Sequence, residues 1–136
     1  MSESNHPNVK PGTFGWNELM SSNPEAAKKF YGAVFGWVAD TANVAPGVDY
    51  TMFKKDDVPV AGLLEIKPEM GPVPPNWLAY VNSDDVAADV AKVRAAGGTV
   101  LQDVLEIPNA GTMAVIQDTE GAVFALWKCA ENSKCG

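Results

Sequence analysis

Between residues 14 and 37 the chain reads FGWNELMSSNPEAAKKFYGAVFGW, and its hydrophobic period changes partway along. Trp16, Glu18 and Met20 alternate with Leu19 and Ser21, the period of two that marks a strand. Ala27, Phe30, Tyr31, Val34 and Phe35 then recur at helical spacing. Asn23 is suited to cap that helix, because its side chain can accept from the first free amides. Pro24 follows at the first helical position, where a missing N–H costs nothing. Gly36 can take the left-handed conformation that stops the helix.

The same syntax returns in SDDVAADVAKVRAAGG, residues 83–98. Asp84 or Asp85 is the cap, Val86, Val90 and Val93 form the apolar stripe, and Gly97 is the stop. A short strand precedes each helix, GWNELMS and NWLAYVN. Three strand-like runs follow each: WVADTA, DYTMFKK and VPVAGLLEI after the first, GTVLQDVLEI, GTMAVIQD and GAVFALWKC after the second. The turns KKDD and QDTEG fall at matching places, and Asp49, Asp56, Asp57, Asp118 and Glu120 read as solvated turn residues.

The chain is therefore an internal repeat of two βαβββ modules, an α+β organisation. It divides into an N-terminal tail over 1–10, a first module over 11–67, a Pro-rich linker over 68–75, a second module over 76–129 and a C-terminal tail over 130–136. One module alone would expose a sheet face and an edge. Two can bury both by pairing into one open, curved sheet with the helices outside.

Composition narrows the function. The 136 residues suit one structural domain, with 46% hydrophobic and 20% charged residues. No apolar run is long enough to span a membrane, and the opening MSESNHPNVKPG reads as a tail rather than a signal peptide. A net charge of −7 without a basic cluster argues against nucleic acid and anionic membranes as partners. Cys129 and Cys135 lack a Cys or His at metal spacing, and reduced thiols in a cytoplasmic protein are expected, with a bridge closing the tail under oxidation as the alternative. Cys129 has no histidine to serve as its base, so no thiol nucleophile is expected.

With both modules in view, NPEAAKKFYGAVFGW, VAGL, NWLAYV with DDVAADVAKVRAAGG, and DTEGAVFALW resemble the vicinal oxygen chelate superfamily, the group of glyoxalases, bleomycin resistance proteins and ring-cleaving dioxygenases. The resemblance covers roughly residues 11–129. It implies a glyoxalase-like open barrel of paired modules, with a small-molecule pocket on the concave face and a homodimer as a common assembly.

The metal-using members of that group carry His or Glu on the first and last strands of each module. Carried over, those positions fall on Trp16, on Leu78 or Trp77, on Gly62 or Leu63, and on Ala125. None can donate a lone pair to an ion, and the chain's one histidine, His6, lies in the tail. No metal and no other cofactor are expected. A carboxylate site built on Glu18 is the exception left open.

Strand parity turns Leu19 and Ser21 toward the first helix, and Ala79 and Val81 toward the second. The opposite face then carries Trp16, Glu18, Met20, Leu78, Tyr80, Asn82, Ala125 and Trp127, joined by Tyr50 and Met52 from the third strand. Such an aromatic and thioether wall suits a flat, partly apolar ligand. The same residues could instead fill a collapsed core, and Asn82 could be a strand-end hydrogen-bonding residue only.

Two functions follow. The first is a metal-free protein that binds a small, ring-bearing molecule, with Glu18 or Asn82 orienting it; a chain of this charge would attract a cationic one. The second is a lyase- or isomerase-type enzyme with Glu18 as general base, its pKa raised by desolvation, and Tyr80 as proton donor. A dimerisation module without a ligand is the third reading.

Overall fold

The computed structural model describes residues 10–45, 48–68, 71–107 and 110–130. His6, Cys135 and most of both expected tails lie outside the described residues. The elements run β1 (Phe14–Ser21), α1 (Pro24–Phe35), β2 (Val38–Ala45), β3 (Val48–Lys55), β4 (Val58–Glu65), β5 (Asn76–Asn82), α2 (Val86–Ala95), β6 (Thr99–Ile107), β7 (Gly111–Gln117) and β8 (Val123–Cys129). This is βαβββ twice. The chain forms two compact units, one over Trp16–Leu78 and one from Ala79 onward together with the stretch before Trp16.

Both helices begin by the same local chemistry. The Asn23 side chain accepts from the Ala26 N–H at 3.2 Å, while the Ser21 hydroxyl accepts from the Asn23 N–H at 3.0 Å. In the repeat, Asp85 rather than Asp84 is the cap, accepting from the Ala88 N–H at 3.0 Å. Ser83 accepts from the Asp85 N–H at 3.1 Å and donates to Asp89 at 2.6 Å. Gly36 closes α1 at φ 74°, a left-handed position where a side chain would be strained.

In the first module the strand order is β2-β3-β4-β1, with β1 and β4 parallel and the hairpins antiparallel. The second repeats it as β6-β7-β8-β5, with β5 and β8 parallel. Asp56 and Asp57 join β3 to β4 at φ 52° and 66°, as a two-residue primed hairpin turn requires. At the matching turn Asp118 accepts from the N–H groups of Ala122 and Glu120, both at 2.9 Å. These bonds favour the ionised carboxylate and hold it below the usual carboxylate range. Asp49 is not in a turn: it lies in β3 and accepts from Asn43 Nδ2 at 3.1 Å.

Alternation then builds the cores. Leu19 packs with Phe53, Ala61 and Leu63, against Ala27 and Tyr31 of α1. Val81 packs against Val86, Val90, Ala114, Ile116 and Leu126 in the second unit. The two helices differ in how they use their stripes. Val86 and Val90 of α2 are buried, whereas α1 buries none of its residues fully. Phe30 and Val34 of α1 are 58% and 52% exposed, because the apolar arc is wider than the sheet face it meets. Trp77 covers part of that helix, donating from its indole to the Tyr31 hydroxyl at 3.2 Å and meeting its ring edge-on at 5.6 Å. Cys129, at the end of β8, is disulfide-bonded, which corrects the expectation of reduced thiols.

Candidate functional site

In the first unit the face of the sheet away from α1 gathers the site. Glu18 on β1 is directly opposite Gly62 on β4, and Gly62 is opposite Met52 on β3. Residues directly opposite share a face, as do residues two apart on one strand, so Trp16, Met20 and Tyr50 belong to the same face. Leu63 packs in the helix-side core, so Gly62 is the residue of that pair on the site face.

These residues form a directed hydrogen-bond chain. The Trp16 indole N–H donates to the Tyr50 hydroxyl at 3.1 Å, and that hydroxyl hydrogen-bonds Glu18. A carboxylate can only accept, so Tyr50 is the donor. Glu18 is 3% exposed, a buried carboxylate in an otherwise apolar and aromatic setting. Burial, and then the adjacent Glu18 charge, push the Tyr50 phenol well above the ordinary tyrosine value. Met20 is buried, and Trp16, Tyr50 and Met52 are half-buried. The arrangement holds a proton on a phenol beside a carboxylate in a poorly solvated place, a setting suited to orienting or exchanging a proton with a ligand.

In the second unit the equivalent register positions carry different chemistry. Tyr80 is directly opposite Ala125, the repeat of the Glu18–Gly62 pair. Tyr80 is buried and meets Trp127 edge-on, with ring centroids 6.2 Å apart. Ala125 is buried and Trp127 is half-buried, while Leu78, the last residue of the first unit, is buried there. Asn82 serves chain pairing: its N–H donates to the Thr13 carbonyl at 2.8 Å, its carbonyl accepts from the Gly12 N–H at 2.9 Å, and its amide donates to the Thr13 hydroxyl at 3.4 Å. A separate cleft of about 190 Å³ lies beside the end of α2, lined by Val93, Ala96, Gly98, Ile116 and Phe124 among others. It contains none of the sequence-predicted site residues, and its carboxylate, Asp118, is occupied by backbone amides.

The metal of the vicinal oxygen chelate group does not fit this donor set. The Trp16 indole is a donor only and is spent on Tyr50. Gly62, Leu78 and Ala125 offer no lone pair. Among the described residues no group of three His, Cys, Asp or Glu side chains could hold an ion.

Gly62 was legible in the sequence only as a missing ligand. Its positive role, described below, depends on a contact with Tyr50 that strand spacing does not specify. The bond between Trp77 and Tyr31 likewise crosses a long stretch of sequence and left no local signal.

Comparison with known proteins agrees with this architecture. The chain is 40% identical over 117 residues to CFP32 of Mycobacterium tuberculosis, a protein named as a glyoxylase; the match covers 86% of this chain and 44% of the relative. It is 32% identical over 130 residues to the anthracycline biosynthesis protein DnrV of Streptomyces peucetius, covering 87% of this chain and 47% of that one. The chain thus spans about half the length of these curated relatives. Methylmalonyl-CoA epimerase from Mycobacterium tuberculosis superposes with a TM-score of 0.60 at 12% identity, over 92% of this chain and 94% of its own, a likeness of fold. A family model matches residues 13–126. The paired βαβββ repeat and these matches together place the chain in the Glyoxalase/Bleomycin resistance protein/Dioxygenase superfamily.

Proposed function

We propose that this chain is a small-molecule-binding member of the superfamily that works without a metal held by its own side chains. Its ligand is flat and partly apolar, and it lies against Trp16, Met20, Tyr50 and Met52, with Glu18 as the polar group that fixes its orientation. The observation that carries this reading is the Glu18–Tyr50–Trp16 chain, a buried carboxylate bonded by a phenol that itself accepts from an indole, on the face where the resemblance places metal ligands. Aromatic walls with few, placed polar groups are how concave sites select ring-bearing compounds. DnrV, named for anthracycline biosynthesis, is consistent with a ligand of that class.

A second reading is an isomerase- or lyase-type enzyme in which Glu18 is the general base. The Tyr50–Glu18 contact favours it, because the phenol could return the proton that the carboxylate removes. The fold likeness to methylmalonyl-CoA epimerase is compatible with this chemistry.

Thermal-shift screening of ring-bearing compounds, with and without chelator, tests the first reading. A ligand at 100 times its Kd adds about 2.7 kcal/mol of apparent stability. Stabilisation that survives chelator and weakens in Glu18→Gln supports metal-free binding. A shift that appears only on adding a divalent ion would overturn it. Turnover of a hit that disappears in Glu18→Gln with binding retained selects the enzyme reading. As protein partner we propose a second copy of the chain; light scattering during size-exclusion chromatography checks it.

A further inference from the structure

Gly62 stands on the strand directly opposite Glu18, at one of the two candidate ligand positions on the last strand of the first module. A Cβ built there would overlap the Tyr50 hydroxyl, fall 2.8 Å from Tyr50 Cζ and fall 3.1 Å from Glu18 Oε2. Real Cβ atoms essentially never approach other atoms so closely as the first two of these. The bare α-carbon is therefore not merely a lost ligand. It is the slot that the phenol fills. Backbone conformation does not explain the glycine, since Gly62 is not among the positive-φ residues.

We infer that Gly62 is a positioning residue: its missing side chain admits the Tyr50 hydroxyl to the Glu18 carboxylate and to the Trp16 indole, so that a phenol proton stands where a ligating side chain would otherwise reach. The inference goes beyond the binding proposal. It concerns what assembles the Trp16–Tyr50–Glu18 chain, whatever ligand that chain serves. Three observations point the same way: the register of Glu18 with Gly62, the overlap a Cβ would make with Tyr50, and the indole bond that the seated hydroxyl accepts. The second module supports the same logic by contrast. There the position equivalent to Gly62 is Ala125, a residue that does carry a Cβ, and its strand partner is Tyr80 rather than a carboxylate.

The experiment is a double-mutant cycle on the whole chain, read by NMR and thermal unfolding. The Trp16 indole N–H resonance is assigned by its loss in Trp16→Phe. In the parent it should be protected from solvent exchange and shifted by its bond to Tyr50. Gly62→Ala should abolish that protection to the same extent as Tyr50→Phe, because both remove the hydroxyl from the slot. Gly62→Ala should also lower Tm in the parent but cost little in a Tyr50→Leu background, where no phenol competes for the space. If Gly62→Ala fails to fold alone, the Tyr50→Leu background should rescue it. An unchanged indole signal in Gly62→Ala, or a Tm loss equal in both backgrounds, would overturn the inference. None of these readouts needs a ligand, so a failed ligand screen leaves this test intact.

Discussion

The Tyr50 hydroxyl donates to the Glu18 carboxylate, joining β3 to β1 through side chains although β4 lies between them. The contact is made over the top of Gly62, on the strand they flank. A hydrogen bond to a buried charged group contributes about 1.5–3 kcal/mol. Tyr50→Phe should therefore lower stability by roughly that amount, measured as a shift in the urea midpoint at constant slope. A loss of under about 0.5 kcal/mol would mean that the phenol contributes packing alone.

The same phenol makes stability sensitive to alkali. Its folded pKa is raised, by burial and by Glu18, while in the unfolded chain it returns to its ordinary value of 10.0. Its stabilising contribution is thus complete below pH 10.0, and it falls as pH rises toward the folded value. Above the unfolded value the unfolded state binds fewer protons than the native one, so stability declines, by at most about 1.4 kcal/mol per pH unit from this group. Urea titrations at a series of alkaline pH values should show this decline in the parent. Tyr50→Phe should show a shallower one.

Divalent ions should leave the folded protein indifferent. Neither excess chelator nor added Mn²⁺, Ni²⁺ or Zn²⁺ should change Tm, since Trp16, Gly62, Leu78 and Ala125 provide no ligand among them. A saturable Tm rise with one of these ions, lost in Glu18→Gln, would reveal a carboxylate site.

Packing predicts opposite outcomes for two phenylalanines. Phe53 is 0% exposed, and it touches the rings of Tyr31 and Trp37, at 5.7 and 5.4 Å between centroids. Phe53→Ala should cost about 3–5 kcal/mol. Phe30→Ala, at a largely exposed position, should stay within about 0.5–1 kcal/mol of the parent by the same urea measurement.

Much of the architecture was legible because the chain states it twice. The Asn23 and Asp85 caps, the Asp56–Asp57 turn and the alternation of Glu18 against Leu19 are local signals, and each repeats or matches its counterpart. The site was legible as a list of faces but not as a set of partners. Parity places Glu18 and Tyr50 on one side of the sheet. It cannot say that their side chains meet across an intervening strand, since that depends on how far a phenol reaches over a glycine. The exposure of Phe30 and Val34 was hidden for a related reason: helical spacing shows that a stripe exists, not how much of it a neighbouring sheet will cover. The state of Cys129 had no local signal in either direction.

A helix that buries none of its residues fully owes much of its persistence to its two ends, the Asn23 amide and the left-handed Gly36. α1 should accordingly open in local fluctuations that leave the sheet beneath intact, and its amides should trade deuterium sooner than those of α2, whose Val86 and Val90 are anchored. The two halves of a duplicated design would then breathe at different tempos, the livelier one being the half that carries the carboxylate.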